Sequence, residues 1–421
     1  MRVFKFGGAS IATAGRMVDL LPVIKTSAEP LVLVVSALGK TTNALEKVVI
    51  AAVSKDIATA KAEASKLFEQ HCTYAKALLD ASSYAQLTAR LNDYFTELNN
   101  SIDNVLASSN DEAYDSIVCM GEIFSTLIFS FYLHQAGIEN TWVDARNVIK
   151  TDSNFRDANV DWETSKQQAE KLIKTELTSG KAVITQGFIG SDQNGKSVTL
   201  GREGSDYSAA LIAAMLGLES VTIWKDVEGL LNADPKIFQN TERIESISFN
   251  EVIEMAFYGA QIIHPKTIKP LQNHNIPLYV KCFLNPDLKG TAIVGEVPDG
   301  NYPPLIALKQ NQVLVQLTTR DFSFITENSL STLYNIFYTL KIKINMIQNA
   351  AISFVACIDN REEKIEELVK QLSPNYKVLL NENVSVLTIR HYRPDTLSEL
   401  TANRQILLKQ ETRKTVQVVL K

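Results

Sequence analysis

The chain has 421 residues, 45% of them hydrophobic and 21% charged. At roughly 150 residues per domain, this length excludes a lone small module and suggests two or three domains, and the composition excludes general disorder. Lys plus Arg number 42 and Asp plus Glu 47, a net charge of −5. That is the wrong sign for binding nucleic acid through bulk electrostatics, so any anion is to be held locally. Cys72, Cys119, Cys282 and Cys357 are spread without a CxxC pair or a disulfide framework; they read as reduced structural thiols of a cytoplasmic protein. The N-terminal MRVFKFGGAS passes into glycines without the apolar core of a signal peptide. No later stretch approaches 18 uninterrupted apolar residues. The expectation is a soluble chain that engages no membrane.

Short apolar strand candidates alternate with helical patterns through the first two-thirds: Val3 to Phe6, Leu31 to Ser36, Thr141 to Asp144, Ala182 to Phe188, Val221 to Trp224 and Leu278 to Cys282. This alternation predicts an α/β sheet with crossover connections. Between Thr42 and Ser108 apolar residues recur at helical spacing, which predicts a helical insertion covering one end of the sheet. The stretch Asn285 to Pro304, with four prolines and three glycines, breaks both periods and marks a boundary, so a second domain is expected from Leu305. There the order becomes strand (Val313 to Leu317), helix (Ser329 to Leu340), strand (Ile342 to Ile347), strand (Ile352 to Ile358), helix (Glu362 to Leu372) and strand (Tyr376 to Leu380). That is the βαββαβ order of a ferredoxin-like module. INMIQNAAISFVACI, from Ile344, can be laid over ILLKQETRKTVQVVL, from Ile406, placing Gln348 on Gln410 and Ser353 on Thr415. Either a truncated second copy, with Val384 to His391 as its first strand, or two hairpins matching by chance would produce this.

Three clusters can carry chemistry. Lys5-Phe6-Gly7-Gly8-Ala9-Ser10 ends the first strand with paired glycines, whose N–H groups can approach an anion, beside a cation. Its spacing is not that of a Walker P-loop, and a plain turn is the alternative. In Leu200-Gly201-Arg202-Glu203-Gly204-Ser205-Asp206, Ser205 or Asp206 is expected at a helix N-terminus, where free N–H groups favour an anion; a plain N-cap is the alternative and would explain one of them but not Arg202, which suits a carboxylate. The third cluster, WKDVEGLLNADPK from Trp224, is a charged loop where a sheet strand ends. It is either a solvated turn or part of a ligand crevice of an open α/β sheet.

Together these clusters resemble the aspartate kinases of the amino-acid kinase family: KFGGAS, VVSALGKTTN at 34–43, Gly121-Glu122, LGREGSDY, WKDVEGLLNADPK and YGAQIIHPKT at 258–267, all in the family's order. The resemblance implies a three-layer αβα catalytic domain over 1–293 with the insertion at about 42–108. A linker at 294–304 is followed by an ACT-type regulatory domain at 305–382 and a partial second unit at 383–421. It implies transfer of the γ-phosphoryl group of ATP to the β-carboxylate of L-aspartate. Mg²⁺ would arrive on the nucleotide, since the five histidines offer no metal set. By matching positions, Lys5 and Asp206 are the catalytic residues. Ser36, Thr42, Glu122, Arg202 and Ser205 bind aspartate, and Lys5, Gly7, Gly8, Ser10, Lys225, Asp226, Leu231, Lys236 and Gln261 contact the nucleotide. Asn328, Ser329, Leu330, Met346 and Ile347 fall near the family's effector site. A lysine or threonine effector and a homodimer or larger homo-oligomer through the C-terminal module are implied too.

The chain departs from the family pattern at Ala9, Glu203, Lys225 and Gln261, where many members have Thr, Gly, Thr and Lys. Our hypothesis is that Lys225 replaces the phosphate-facing lysine lost at Gln261; a Lys225→Ala change that raised the KM for ATP no more than a surface lysine change would rule it out. Glu203 adds a negative charge at an anion site, so its side chain is expected to turn away. Two rivals are a sibling kinase acting on glutamate, N-acetylglutamate or a nucleotide, and a non-catalytic amino-acid sensor. The second predicts loss of the central charges, yet Lys5, Glu122, Arg202 and Asp206 are present.

Overall fold

Runs that are apolar at every position, such as LVLVV at 31–35, are stable as strands only when both faces are covered, and this run is buried throughout. The computed structural model describes residues 1–260, 262–298 and 302–421. The chain divides into a first unit, Met1–Leu230 with Glu245–Ile253 and Ile263–Val297, and a second, Leu231–Ile244 with Glu254–Ile262 and Pro298–Lys421.

The first unit is built on strands β1 (Arg2–Phe6), β2 (Leu31–Val35), β3 (Asn140–Val143), β4 (Lys150–Thr151), β5 (Ala182–Gln186), β6 (Ile189–Asp192), β7 (Ser197–Thr199), β8 (Val221–Lys225), β9 (Ser246–Ser248), β10 (Leu278–Cys282) and β11 (Thr291–Val294). Eight of them form one sheet in the order β3-β5-β2-β1-β8-β10-β11-β9, parallel from β3 to β10. The chain leaves β1 toward β2 on one side and reaches β8 on the other, so the loops after these strands diverge and open a crevice at their carboxyl ends. β4, β6 and β7 make a small separate sheet. All six expected strands are present to within two residues at either end.

Helices α1 (Ala14–Lys25), α2 (Thr41–Val53), α3 (Ile57–Leu78), α4 (Ala81–Asp103), α5 (Asn110–Val118) and α6 (Met120–Gln135) follow β1 and β2. The expected insertion is α2 to α4, whose two long members start at capping aspartates: Asp56 accepts the N–H of Thr59 and Asp80 that of Ser83. The run Asn110–Gln135 is long and apolar enough to cross a membrane, but 89% of its most apolar stretch lies buried in the protein, as in a core helix. Phe4, Phe6, Leu33 and Val35 join these helices in one core. Strand side chains alternate between faces, so Val3 and Lys5 point to the opposite side. After α7 (Ala145–Val148), α8 (Trp162–Ala169) and α9 (Thr175–Thr178) comes α10 (Gly204–Leu216), which packs on β1, β2 and β8; α11 (Phe249–Phe257) and α12 (Pro265–Asn273) follow.

The second unit has a six-stranded antiparallel sheet, β13-β14-β12-β15-β17-β16, made from β12 (Leu305–Thr319), β13 (Ile344–Asn349), β14 (Ser353–Asp359), β15 (Tyr376–Arg390), β16 (Ile406–Glu411) and β17 (Thr415–Leu420). Its helices are α13 (Glu327–Thr339), α14 (Glu362–Leu372) and α15 (Pro394–Thr401). The two 15-residue strands β12 and β15 each serve two lobes. Their pairing shifts register between Lys309 and Leu314, beside Asn311 and Asn383, which have φ of 54° and 56°. Residues 312–319 and 376–381 complete the expected βαββαβ lobe. The second lobe is more than the 383–421 remnant expected from the sequence: Leu305 to Lys309 pair with Val386 to Arg390 and provide its fourth strand. It has the same strand order as the first lobe and lacks only the second helix. Gln348 pairs with Val355 and Gln410 with Gln417, equivalent positions in the two hairpins. Sequence periodicity missed the fourth strand because it lies some 80 residues ahead of its partners, with the whole first lobe in between.

The expected boundary at 294–304 also shifts, because Leu231–Ile244 and Glu254–Ile262 pack with the second unit. Asn328, Ser329 and Leu330 form the first turn of α13, capped by Thr326. Met346 and Ile347 lie inside β13 rather than at its end. Met346 is buried with Leu314, Cys357, Val384 and Leu408 in the core shared by the two lobes, and the carbonyl of Ile347 accepts the side-chain N–H of Gln410.

Candidate active site

β1 gives way at Phe6 to the paired glycines. Gly8 needs its missing side chain: a Cβ there would stand 2.6 Å from the carbonyl oxygen of Ala37 and 3.0 Å from that of Gly39. The first loop thereby packs on the loop after β2, and the N–H of Gly39 donates to the carbonyl of Gly8 at 3.1 Å. Gly187, after β5, lets α10 approach in the same way, since its Cβ would meet Ser205 at 2.5 Å.

These approaches enclose a cavity of about 490 Å³ that brings together Lys5, Gly8, Ser36, Thr42, Glu122, Arg202, Ser205 and Asp206. Lys5, on the α10 side of β1, meets Asp206 in the first turn of that helix, Nζ to Oδ1 at 2.5 Å. Glu122, at the start of α6, accepts the N–H of Ala37 on Oε1 at 3.3 Å, while its Oε2 is buried without a hydrogen-bond partner. Burial pushes its carboxyl up to about 8, with the N–H of Ala37 and the charge of Lys5 pulling the other way. An uncompensated buried carboxyl oxygen beside an ion pair is a place for a cationic ligand group.

Ser205 and Asp206 lie in the first turn of α10, as expected, but the plain N-cap alternative fails. Glu203 occupies the cap position at φ 54°, with no side-chain cap bond, so neither Ser205 nor Asp206 caps α10 and both are free to face the cavity. The Glu203 carboxylate accepts the N–H of His264 at 2.9 Å. Gly7 lies beside the ammonium of Lys5. The buried hydroxyl of Ser10 donates to the carbonyl of Trp224 at 3.2 Å and ties the glycine loop to β8. Lys225 ends β8 half-buried and Asp226 follows it, exposed. Leu231 and Lys236 lie in a segment that packs with the second unit. Gln261 lies outside the described residues.

Tyr114, Arg156, Phe188 and Thr199 also line the cavity and escaped the sequence reading. Phe188 closes the strand candidate that begins at Ala182, and Tyr114 looks like an ordinary amphipathic position of α5. Arg156 sits in the turn-forming run DSNFRD, where only the Asn and Asp content gives a signal.

A crevice at the carboxyl ends of parallel strands, lined by a buried lysine, glycine N–H groups and a second cation, defines an anion-handling α/β enzyme. Residues 1–282 match the amino acid kinase family, and the chain belongs to that family. It is 29% identical over 409 residues to lysine-sensitive aspartokinase 3 of Escherichia coli, covering 92% of this chain and 86% of that protein. A bifunctional aspartokinase/homoserine dehydrogenase of Arabidopsis thaliana is 29% identical over 390 residues, and the match spans 90% of this chain but 42% of that longer protein. Among solved structures, E. coli aspartokinase III in complex with lysine and aspartate superposes with a TM-score of 0.82 at 25% identity, covering 100% of this chain and 95% of that one. Its complex with aspartate and ADP gives 0.78 at 26%, covering 100% and 96%.

Proposed function

We propose that the chain is an ATP-dependent aspartate kinase, transferring the γ-phosphoryl group of ATP to the β-carboxylate of L-aspartate to give 4-phospho-L-aspartate and ADP. The observation that carries the reading is the partnerless Glu122 Oε2 in one cavity with Arg202 and the Lys5–Asp206 pair. An amino dicarboxylate matches it: the ammonium goes to Glu122, one carboxylate to Arg202, and the reacting carboxylate toward Lys5. The acceptor has no proton to lose at neutral pH, so no general base is needed. Lys5 and the N–H of Gly8 offset charge on the moving phosphoryl group, and Asp206 holds Lys5 in place. Among the described residues no three His, Cys, Asp or Glu side chains converge as a metal cage. Mg²⁺, a hard cation, would be held chiefly by the nucleotide phosphates, where it neutralises their charge. ATP consumption with aspartate, compared with glutamate, N-acetylglutamate and a nucleoside monophosphate, tests the assignment; turnover with any of the last three and none with aspartate would refute it.

The second unit suits end-product regulation. A relative that shares the whole fold carries lysine as well as aspartate, which makes lysine the first effector to try and threonine the second. Phe322, Phe324 and Tyr338 stand exposed at 77%, 73% and 82% on the first lobe, an apolar surface suited to pairing with a second copy. The four unpaired thiols, three of them buried, support a cytoplasmic location. Sedimentation with and without lysine tests the assembly, and a chain monomeric in both would end that part of the reading.

A further inference from the structure

Of the three cationic side chains that line the cavity, Lys5, Arg156 and Arg202, only Arg156 is left without a task. Arg156 has φ 68°, a left-handed conformation that strains a non-glycine residue. Asp115, fully buried, holds it there. Its Oδ2 accepts the N–H of Arg156 at 2.9 Å and that of Thr199 at 2.8 Å, and its Oδ1 accepts the Thr199 hydroxyl at 2.7 Å. The guanidinium lies over the ring of Tyr114, 4.1 Å from its centre, and the Tyr114 hydroxyl donates to Glu46 at 3.0 Å. Its ion pair is a 3.4 Å contact with Asp111 in which both side chains are more than half exposed, a weak claim on the charge. Backbone, ring and buried carboxylate thus hold an under-neutralised guanidinium on the cavity wall. Packing alone does not account for this arrangement, because a glycine would fill the backbone position without strain.

Charge balance in the cavity says what that cation is for. Lys5 is committed to Asp206 and, on the aspartate reading, to the phosphoryl group. A substrate with two carboxylates then finds Arg202 as its other cation. We propose that Arg156 is a second anchor for the substrate's α-carboxylate, acting with Arg202 and fixing the site's preference for a free α-carboxylate over an amide. The proposal rests on the assignment of aspartate as substrate.

The test reads binding by calorimetry, which needs no turnover, on the full-length chain and an Arg156→Gly variant. Two ligands are used: L-aspartate, and L-isoasparagine, whose α-carboxylate is an amide and whose β-carboxylate is free. Glycine suits φ 68°, so the variant should melt no lower than the parent. Aspartate binding should weaken about tenfold, the size of one charge-assisted contact at a partly exposed site, with isoasparagine affinity within twofold and the KM for ATP unchanged. Equal weakening for both ligands, or none for aspartate, would overturn the proposal. A parent chain that binds aspartate without phosphorylating it would defeat the functional assignment and leave this comparison readable; one that binds no aspartate defeats both.

Discussion

Lys5 and Asp206 form the most buried ion pair of the site, Nζ to Oδ1 at 2.5 Å with side chains 11% and 6% exposed. Alternation along β1 sends Lys5 toward α10, and the early start of that helix brings Asp206 into its first turn. Removing one partner of such a pair leaves a desolvated charge. Lys5→Ala is expected to lower kcat by roughly 10³-fold and stability by about 3 kcal/mol, and Lys5→Met to lose as much activity with better packing. Steady-state kinetics and urea titration read both; an active Lys5→Met variant would remove Lys5 from the chemistry.

Glu122 predicts a proton signal. Its carboxyl is raised from 4.5 to about 8, so the folded chain favours the neutral form. The stability this confers is complete below pH 4.5 and declines as pH rises toward 8. A substrate ammonium beside it favours the carboxylate, so aspartate binding near pH 7 should release protons. Calorimetry in buffers of differing ionisation enthalpy measures the release, and Glu122→Gln should abolish it. Proton uptake in the parent, or unchanged release in the variant, would contradict the assignment.

Gly8→Ala places a carbon 2.6 Å from the carbonyl oxygen of Ala37, a backbone atom that cannot rotate away. The loop after β2, which carries Ser36, must shift. Positioning errors of about 1 Å cost on the order of 10²-fold in rate, so activity should fall by that much with the sheet intact by circular dichroism. A variant with full activity would show that the Gly8–Ala37 contact does not set the site.

Lysine at millimolar concentration should lower the rate if the two-lobed unit is regulatory, because an effector acts only through unequal affinity for active and inactive states. Initial rates with lysine, threonine and both together are the measurement. A rate unchanged in all three would leave the second unit as an assembly module.

Much of this was legible in the sequence, for identifiable reasons. β2 is an unbroken apolar run and β1, β5 and β8 are largely apolar runs that give way to glycine-bearing loops, while Lys5 near the end of β1 and Arg202 and Asp206 at the start of α10 fall in motifs of recognisable order. Glu122 was legible only through resemblance, since nothing local tells a buried carboxylate from an ordinary helix-start glutamate. Pairings between distant segments could not be read: the strand Leu305 to Lys309 belongs to a lobe whose other strands begin after residue 383, and Arg156 reaches the cavity through a buried contact with Asp115.

The most direct test of the central claim is a coupled assay of ADP formation by the purified chain with ATP and Mg²⁺, comparing L-aspartate, L-glutamate and the Lys5→Ala variant. The account predicts turnover with aspartate, little with glutamate, and loss of the aspartate rate in the variant. Turnover that prefers glutamate, or that survives loss of Lys5, would contradict it.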